Sequence, residues 1–158
     1  FITMIFVLEH IADPINFLKY LKKFLKPNGK FIILVPNIND ALLSFYNIPI
    51  FKEFYYCMEH LFYYNPQTIK NLFEKVGLHG NIEIVQEYPI TNHINWAINQ
   101  RPSDVQKSRE NIPDISLTNS KFRKEWENLW KDFSHIYKKF LVKNSFSDRI
   151  WCEVSINK

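Results

Sequence analysis

The sequence predicts an α/β fold, on three observations. Two near-continuous apolar runs, residues 2–8 and 30–35, bracket an amphipathic segment of helical period. A strand–helix–strand unit of this kind makes a right-handed crossover and a parallel strand pair. The closing stretch, 149–156, alternates apolar and polar residues with period two, as a strand with one wetter face does.

The first run, ITMIFVL, has the composition of a strand buried on both faces of a parallel sheet. The polar pair Glu9-His10 follows where that strand would end, and Asp13-Pro14 supplies a helix N-cap and a proline for the first turn. Phe17, Leu18, Leu21, Phe24 and Leu25 then recur at helical spacing with lysines on the other face, until Lys26-Pro27-Asn28-Gly29 stops the helix. The second strand, 30–35, ends at Pro36-Asn37.

Residues 38–64 read as an aromatic cap over the sheet edge: Ala41-Leu42-Leu43 favours a short helix, and Tyr46, Phe51, Phe54, Tyr55, Tyr56, Phe62, Tyr63 and Tyr64 follow without a clear period. Asn65-Pro66 starts another helix with Ile69, Leu72, Phe73 and Val76 inward and Gly77 as its stop. Residues 81–87 read as a strand with Ile82 and Ile84 on one side. The longest periodic segment, 119–143, carries Phe122, Trp126, Leu129, Trp130, Phe133, Ile136, Tyr137, Phe140 and Leu141 as one stripe. The expected organisation of 1–158 is one domain: 1–90 and 148–158 as sheet and flanking helices, 38–64 as the cap, and 91–147 as a helical insertion.

A chain of 158 residues that is 46% hydrophobic closes one sizeable core and is not a disordered segment. The net charge of +4 is spread over helix faces at Lys19, Lys22, Lys23 and Lys26, the pattern of solvated surface, so no nucleic-acid partner is expected. Cys57 and Cys152 lie far apart without C-x-x-C spacing, which points to neither a zinc site nor a disulfide. No apolar run approaches the ~20 residues that cross a bilayer. The expected location is therefore cytoplasmic, with no membrane partner.

FVLEHIADPINFLKYLKKFLKPNGKFIILVPN followed by EHLFYYNPQTIKNLFEKVGL resembles the second half of the Rossmann-like S-adenosylmethionine (SAM) dependent methyltransferases. In that family a strand ends in an LEH-type sequence, a helix follows, a "kPgG" turn leads to the next strand and "PN" closes it. Residues 1–88 carry the likeness. The stretch from Tyr88 to Trp96 is similar to the "RYPLSNHLYWL" segment of a subgroup linked to bacterial surface-polysaccharide genes, with Glu87 standing where that subgroup prefers arginine.

The resemblance implies the C-terminal half of a methyltransferase sheet: three parallel strands plus one antiparallel strand, the last strand inserted between the second and third, with a helical insertion before it. It implies SAM as cofactor and a small-molecule methyl acceptor. The family's glycine-rich loop belongs to the first half of the fold, and none of the three glycines here stands in a G-x-G arrangement. The chain alone is therefore expected to bind SAM poorly and to be inactive by itself.

Ligands of open α/β sheets sit at the carboxyl ends of the strands. That rule and the resemblance make Phe6, Val7, Leu8 and Glu9 the expected cofactor-side residues, against a bland reading of Glu9-His10 as a polar strand end. Related metal-dependent members use E-x-x-E-H, which would place an acid at Phe6; phenylalanine binds no magnesium, and no metal is expected. Glu59-His60 resembles an "EH" of some sugar methyltransferases in which the histidine is a base. A neutral imidazole accepts a hydroxyl proton near pH 7 and a carboxylate steadies the imidazolium, so His60, Glu59 and His10 are the catalytic candidates. The competing reading of His60 is a histidine packed among aromatics and bonded to a carbonyl.

Tyr55, Tyr56 and Tyr63 offer apolar bodies with hydroxyls suited to a sugar or a ring, and His93 and Trp96 reach the same pocket from the start of a helix. Aromatic runs are also ordinary core. The leading function is methylation of a sugar or surface-polysaccharide precursor. A quinone or lipid-precursor methyltransferase and a methyltransferase-like interaction subunit without catalysis stand as alternatives.

Overall fold

A computed structural model describes residues 1–101 and 120–156. The expected helical insertion therefore falls partly, at 102–119, outside the described residues, and so does the residue 119 at which the long helix was expected to begin.

The elements run β1 (Ile2–Ile5), α1 (Pro14–Lys22), β2 (Lys30–Pro36), α2 (Ala41–Ser44), α3 (Pro49–Tyr55), α4 (Pro66–Lys75), β3 (His79–Val85), α5 (Ile90–Asn99), α6 (Arg123–Lys143) and β4 (Arg149–Ser155). The strands form one sheet in the order β1-β2-β4-β3. β4 lies between β2 and β3 and is antiparallel to both, as expected. The expectation of three parallel strands is corrected: β1 and β2 make the parallel pair, whereas β3 is hydrogen-bonded to β4 and so has no parallel neighbour.

Local chemistry sets the helix starts. The Asp13 carboxylate accepts from the Asn16 amide at 3.0 Å ahead of Pro14. Asn65 and Thr68 form a reciprocal capping box at the head of α4. Apolar stripes of α1 and α4 then pack on one face of the sheet: Leu18, Ile69, Leu72, Phe73 and Val76 meet Met4, Phe31, Ile33, Val35, Ile150, Cys152 and Val154. Each such side chain removed from water is worth ~1.5–3 kcal/mol, which makes this face the core.

Two sequence expectations change, and the long helix proves more exposed than its pattern alone could tell. β1 ends at Ile5, not near residue 8, because Phe6 takes a left-handed backbone (φ 54°) and a 3-10 turn Leu8–His10 follows. β1 and β2 are not buried on both faces: Phe31, Ile33 and Val35 are fully buried, whereas Ile32 and Leu34 are half-covered and Ile5 is exposed. The apolar stripe of α6 is largely in solvent, with Leu129, Phe133, Ile136 and Phe140 exposed and only Ser134 and Leu141 buried, since α6 packs mainly against α5.

Gly80 stands opposite Val154 in the β3–β4 ladder with φ 156°. A Cβ there would run into the Glu153 carbonyl and the Val154 backbone, neither of which can swing aside. Gly80→Ala is expected to lower stability by about 1–3 kcal/mol from the backbone conformation alone. Denaturant melts of the two proteins check it, and an unchanged midpoint would contradict this account of the ladder.

Candidate active site

β1, β2 and β3 end together at Ile5, Pro36 and Val85, and β4 begins at that same end with Arg149. Phe6 turns the chain out of β1 while its amide still donates to the Leu34 carbonyl at 2.9 Å. A bulky residue in the left-handed region costs on the order of 1–3 kcal/mol and persists only where its surroundings fix it. Here the Arg149 guanidinium lies 4.7 Å over the Phe6 ring. The turn leaves Phe6 and Val7 partly exposed, drives Leu8 into the core and carries Glu9 and His10 to the sheet's end.

A second segment docks on this turn. After α3 the chain tightens at Cys57, whose carbonyl accepts from the His60 amide at 3.3 Å. The Leu61 and Phe62 amides both donate to the Glu9 carbonyl, at 2.9 and 3.1 Å. His10 Nδ1 lies 2.7 Å from the Glu59 carbonyl oxygen. A carbonyl only accepts, so Nδ1 carries the hydrogen and neutral His10 presents the Nε2 lone pair, 4.0 Å from Glu9 Oε1. Two Glu-His pairs fifty residues apart in sequence thus become neighbours, with the His10 and His60 rings edge to face at 4.8 Å.

The electrostatics follow from burial. Glu9 is 1% exposed, neither carboxylate oxygen has a hydrogen-bond partner, and burial pushes its pKa up. His60 Nδ1 is likewise buried without a partner; burial first, and the neighbouring His10 second, push its imidazole pKa down. Glu59 is exposed, and its own backbone N–H and then Cys57 hold its carboxyl below the usual range. Glu9, His10 and His60 each offer a ligand atom within 4.8 Å of the others.

Of the tyrosines, Tyr63 borders His60 at 5.8 Å between ring centres and touches Tyr56 and Tyr55 at 5.0 and 5.6 Å. Its hydroxyl donates to the Cys57 carbonyl at 3.2 Å. Tyr56 is half-exposed; Tyr55 is buried behind it with its hydroxyl unpartnered. Trp96 lies inside the cap, 4.9 Å from Phe51, and Tyr64 belongs to the main core. His93 sits in a separate network, where the Tyr137 hydroxyl bridges His93 Nδ1 at 2.5 Å and the Tyr46 hydroxyl at 3.0 Å.

The family model of a methyltransferase domain matches residues 1–83, from β1 through most of β3 and over more than half of the chain. The chain belongs to the methyltransferase domain family. Members of this family typically use SAM as methyl donor. No curated protein matches the chain. No helix among the described residues is long and apolar enough to cross a membrane.

The methyltransferase domain also holds polar residues at the sheet's end that the sequence reading passed over. The buried Asp148 carboxylate accepts from the Glu87 and Tyr88 amides at 3.0 and 2.8 Å and from the Gln86 side chain at 3.1 Å. Arg149 pairs with Glu87 and lies over the Tyr88 ring as well as that of Phe6. Asn37 donates to the Ser147 carbonyl at 2.8 Å. The signal was available: Ser147-Asp148-Arg149 is a polar triplet abutting an apolar strand, just as Glu9-His10 is. A concavity of about 920 Å³ lined by Lys30, Lys70, His79 and Glu153 lies at the opposite end of the strands. Its polar groups include the Lys30–Glu153 ion pair, and none of the cluster residues lines it.

Three buried groups give opposed pH slopes, two carboxyls against one imidazole. Asp40 caps α2 by accepting from the Leu42 amide at 2.7 Å, and burial pushes its pKa up to about 7. It keeps its proton in the folded state, so its stabilisation is present at low pH and is lost as pH rises towards about 7. Burial raises Asp148 to about 6 with the same sign. His93 is pushed down to about 4 by burial, so its stabilisation is present above its ordinary 6.5 and is lost as pH falls towards about 4. Asp40→Asn keeps the cap and removes the largest opposing slope. Its melting temperature is expected to fall more steeply than that of the parent as pH drops from 6.5 to about 4; parallel curves would refute this.

Proposed function

We propose that this methyltransferase domain serves transfer of a methyl group from SAM to a hydroxyl of a small molecule, with a sugar or surface-polysaccharide precursor as the acceptor class. The observation that carries the reading is the meeting of His60 with His10, Glu9, Tyr63 and Tyr56 at the carboxyl end of β1, beside the exposed Phe6 and Val7. The residues present fit one wall of a cofactor site: Phe6 and Val7 give apolar edges and turn backbone towards solvent at the strand end. Gly29, Gly77 and Gly80 lie elsewhere, in the turns after α1 and α4 and in β3.

When bound, the cofactor supplies a methyl group on a positive sulfur. His60 takes the acceptor proton, because its depressed pKa keeps the ring neutral near pH 7. Tyr56 and Tyr63 flank the acceptor with ring faces, and the fastening of residues 61 and 62 to the Glu9 carbonyl holds His60 in place before the acceptor arrives. The acceptor preference for a sugar rests on the likeness of the Tyr88 to Trp96 stretch.

A general base contributes ~10²–10⁴-fold in rate. His60→Ala is therefore expected to lower turnover in that range while leaving SAM affinity nearly unchanged. Steady-state kinetics, calorimetric titration of SAM and a thermal melt on the same preparations separate this from packing. A normal melt with wild-type turnover removes His60 as the base.

A further inference from the structure

We infer that Glu9, His10 and His60 form a binding site for a divalent transition-metal cation. This rests on the placement of the active site given above, and it changes how His60 acts there. The sequence offered only Glu9-His10, with Phe6 where a further acid would be needed. The fold brings the third ligand from fifty residues away.

Four observations point to a cation. Glu9 is 1% exposed, and both its carboxylate oxygens lack any hydrogen-bond partner. A buried carboxylate with no donor is costly, and a cation is what relieves both charge and desolvation. His10 has its tautomer set by the Nδ1–H bond to the Glu59 carbonyl at 2.7 Å, which leaves the Nε2 lone pair on the Glu9 side. Metal-binding imidazoles are oriented in this way, the second nitrogen donating to a carbonyl or carboxylate. His60 has a buried ring nitrogen without a partner. Finally, the backbone bonds from Leu61 and Phe62 to the Glu9 carbonyl clamp the two ligand segments together.

Two imidazoles and one carboxylate select the class of ion. Imidazole nitrogen suits zinc, iron, cobalt and nickel, whereas magnesium and calcium favour all-oxygen shells. The three ligand atoms lie within 4.8 Å of one another. A tetrahedral ion at metal–nitrogen lengths near 2.0–2.1 Å wants about 3.4 Å between ligands. His10, whose side chain is 39% exposed, has the freedom to make that closure. Three protein ligands would leave a coordination position open for an acceptor hydroxyl. With an ion bound, His60 would serve as a ligand instead of the base, and the cation would acidify a coordinated acceptor hydroxyl, whose proton would pass to solvent water.

The test is a titration of the chelator-treated chain with cobalt(II), followed by visible absorption, with zinc(II) competing. One saturable site per chain is expected, displaced by zinc. Glu9→Gln, His60→Gln and His10→Gln should each weaken it at least about tenfold, since disturbing even the partners of a ligand costs 10–100-fold. His135→Gln, on the exposed side of α6, should leave it unchanged. His10→Gln keeps the test open if a buried variant fails to fold. No saturable binding, or equal binding by all variants, overturns the site. Methyl transfer that is indifferent to chelation in a chain that binds no cobalt sinks the cation and leaves the proposed function standing. Cobalt binding that the ligand variants abolish upholds the cation even if no acceptor is methylated.

Discussion

Everything at the carboxyl end of the parallel strands hangs on the buried polar knot at the head of β4. Asp148, 4% exposed, gathers the amides of Glu87 and Tyr88 and the side chain of Gln86, while its own carbonyl accepts from the Asn37 amide at 2.9 Å. Arg149 pairs with Glu87 and lies over the rings of Phe6 and Tyr88. The loops that leave β1, β2 and β3 are thereby tied to one point. Because β4 is antiparallel to both its neighbours, its first residues meet the last residues of theirs, and no other strand direction would place this knot there. Hydrogen bonds to charged groups are worth roughly 1.5–3 kcal/mol each, and a buried carboxylate stripped of its donors is costlier still.

The second fastening is smaller and more local. Two amides on the Glu9 carbonyl, and one imidazole on the Glu59 carbonyl, bring the segments at 9–10 and 57–62 together. What they enclose is under-satisfied: a carboxylate and an imidazole nitrogen with no hydrogen-bond partner in the interior. Proteins rarely leave such groups unmatched without a use for them. The arrangement invites a proton or a cation, and both readings put chemistry at the carboxyl end of β1.

Much of the fold was legible because its signals are short in range. The N-caps at Asp13 and Asn65, the stop at Gly77 and the period-two run of β4 each depend on neighbours in the chain, and each lies where the sequence implied. The resemblance to methyltransferases supplied the strand order, which no local pattern carries. The end of β1 was misjudged because Phe6 adopts a backbone that phenylalanine seldom takes, fixed by Arg149 from the far end of the chain. Solvent on the α6 stripe was hidden for a similar reason: periodicity tells which residues share a face, not whether anything covers it. At the site, the Glu-His pairs were visible as residue types, but their meeting was not, since it is made by backbone bonds across fifty positions. Trp96 and Tyr55 were read as pocket residues from their chemistry, and the fold packs both into the cap.

Methyl transfer at the carboxyl end of β1, over the Glu9–His10–His60 cluster, is the proposal on which the others depend. A crystal structure of the protein with S-adenosylhomocysteine, the donor stripped of its methyl group, tests it most directly. The sulfur is expected beside Phe6 and Val7 on the side open to His60 and Tyr63. Finding the nucleoside instead in the concavity lined by Lys30, Lys70 and His79, at the other end of the strands, would contradict it.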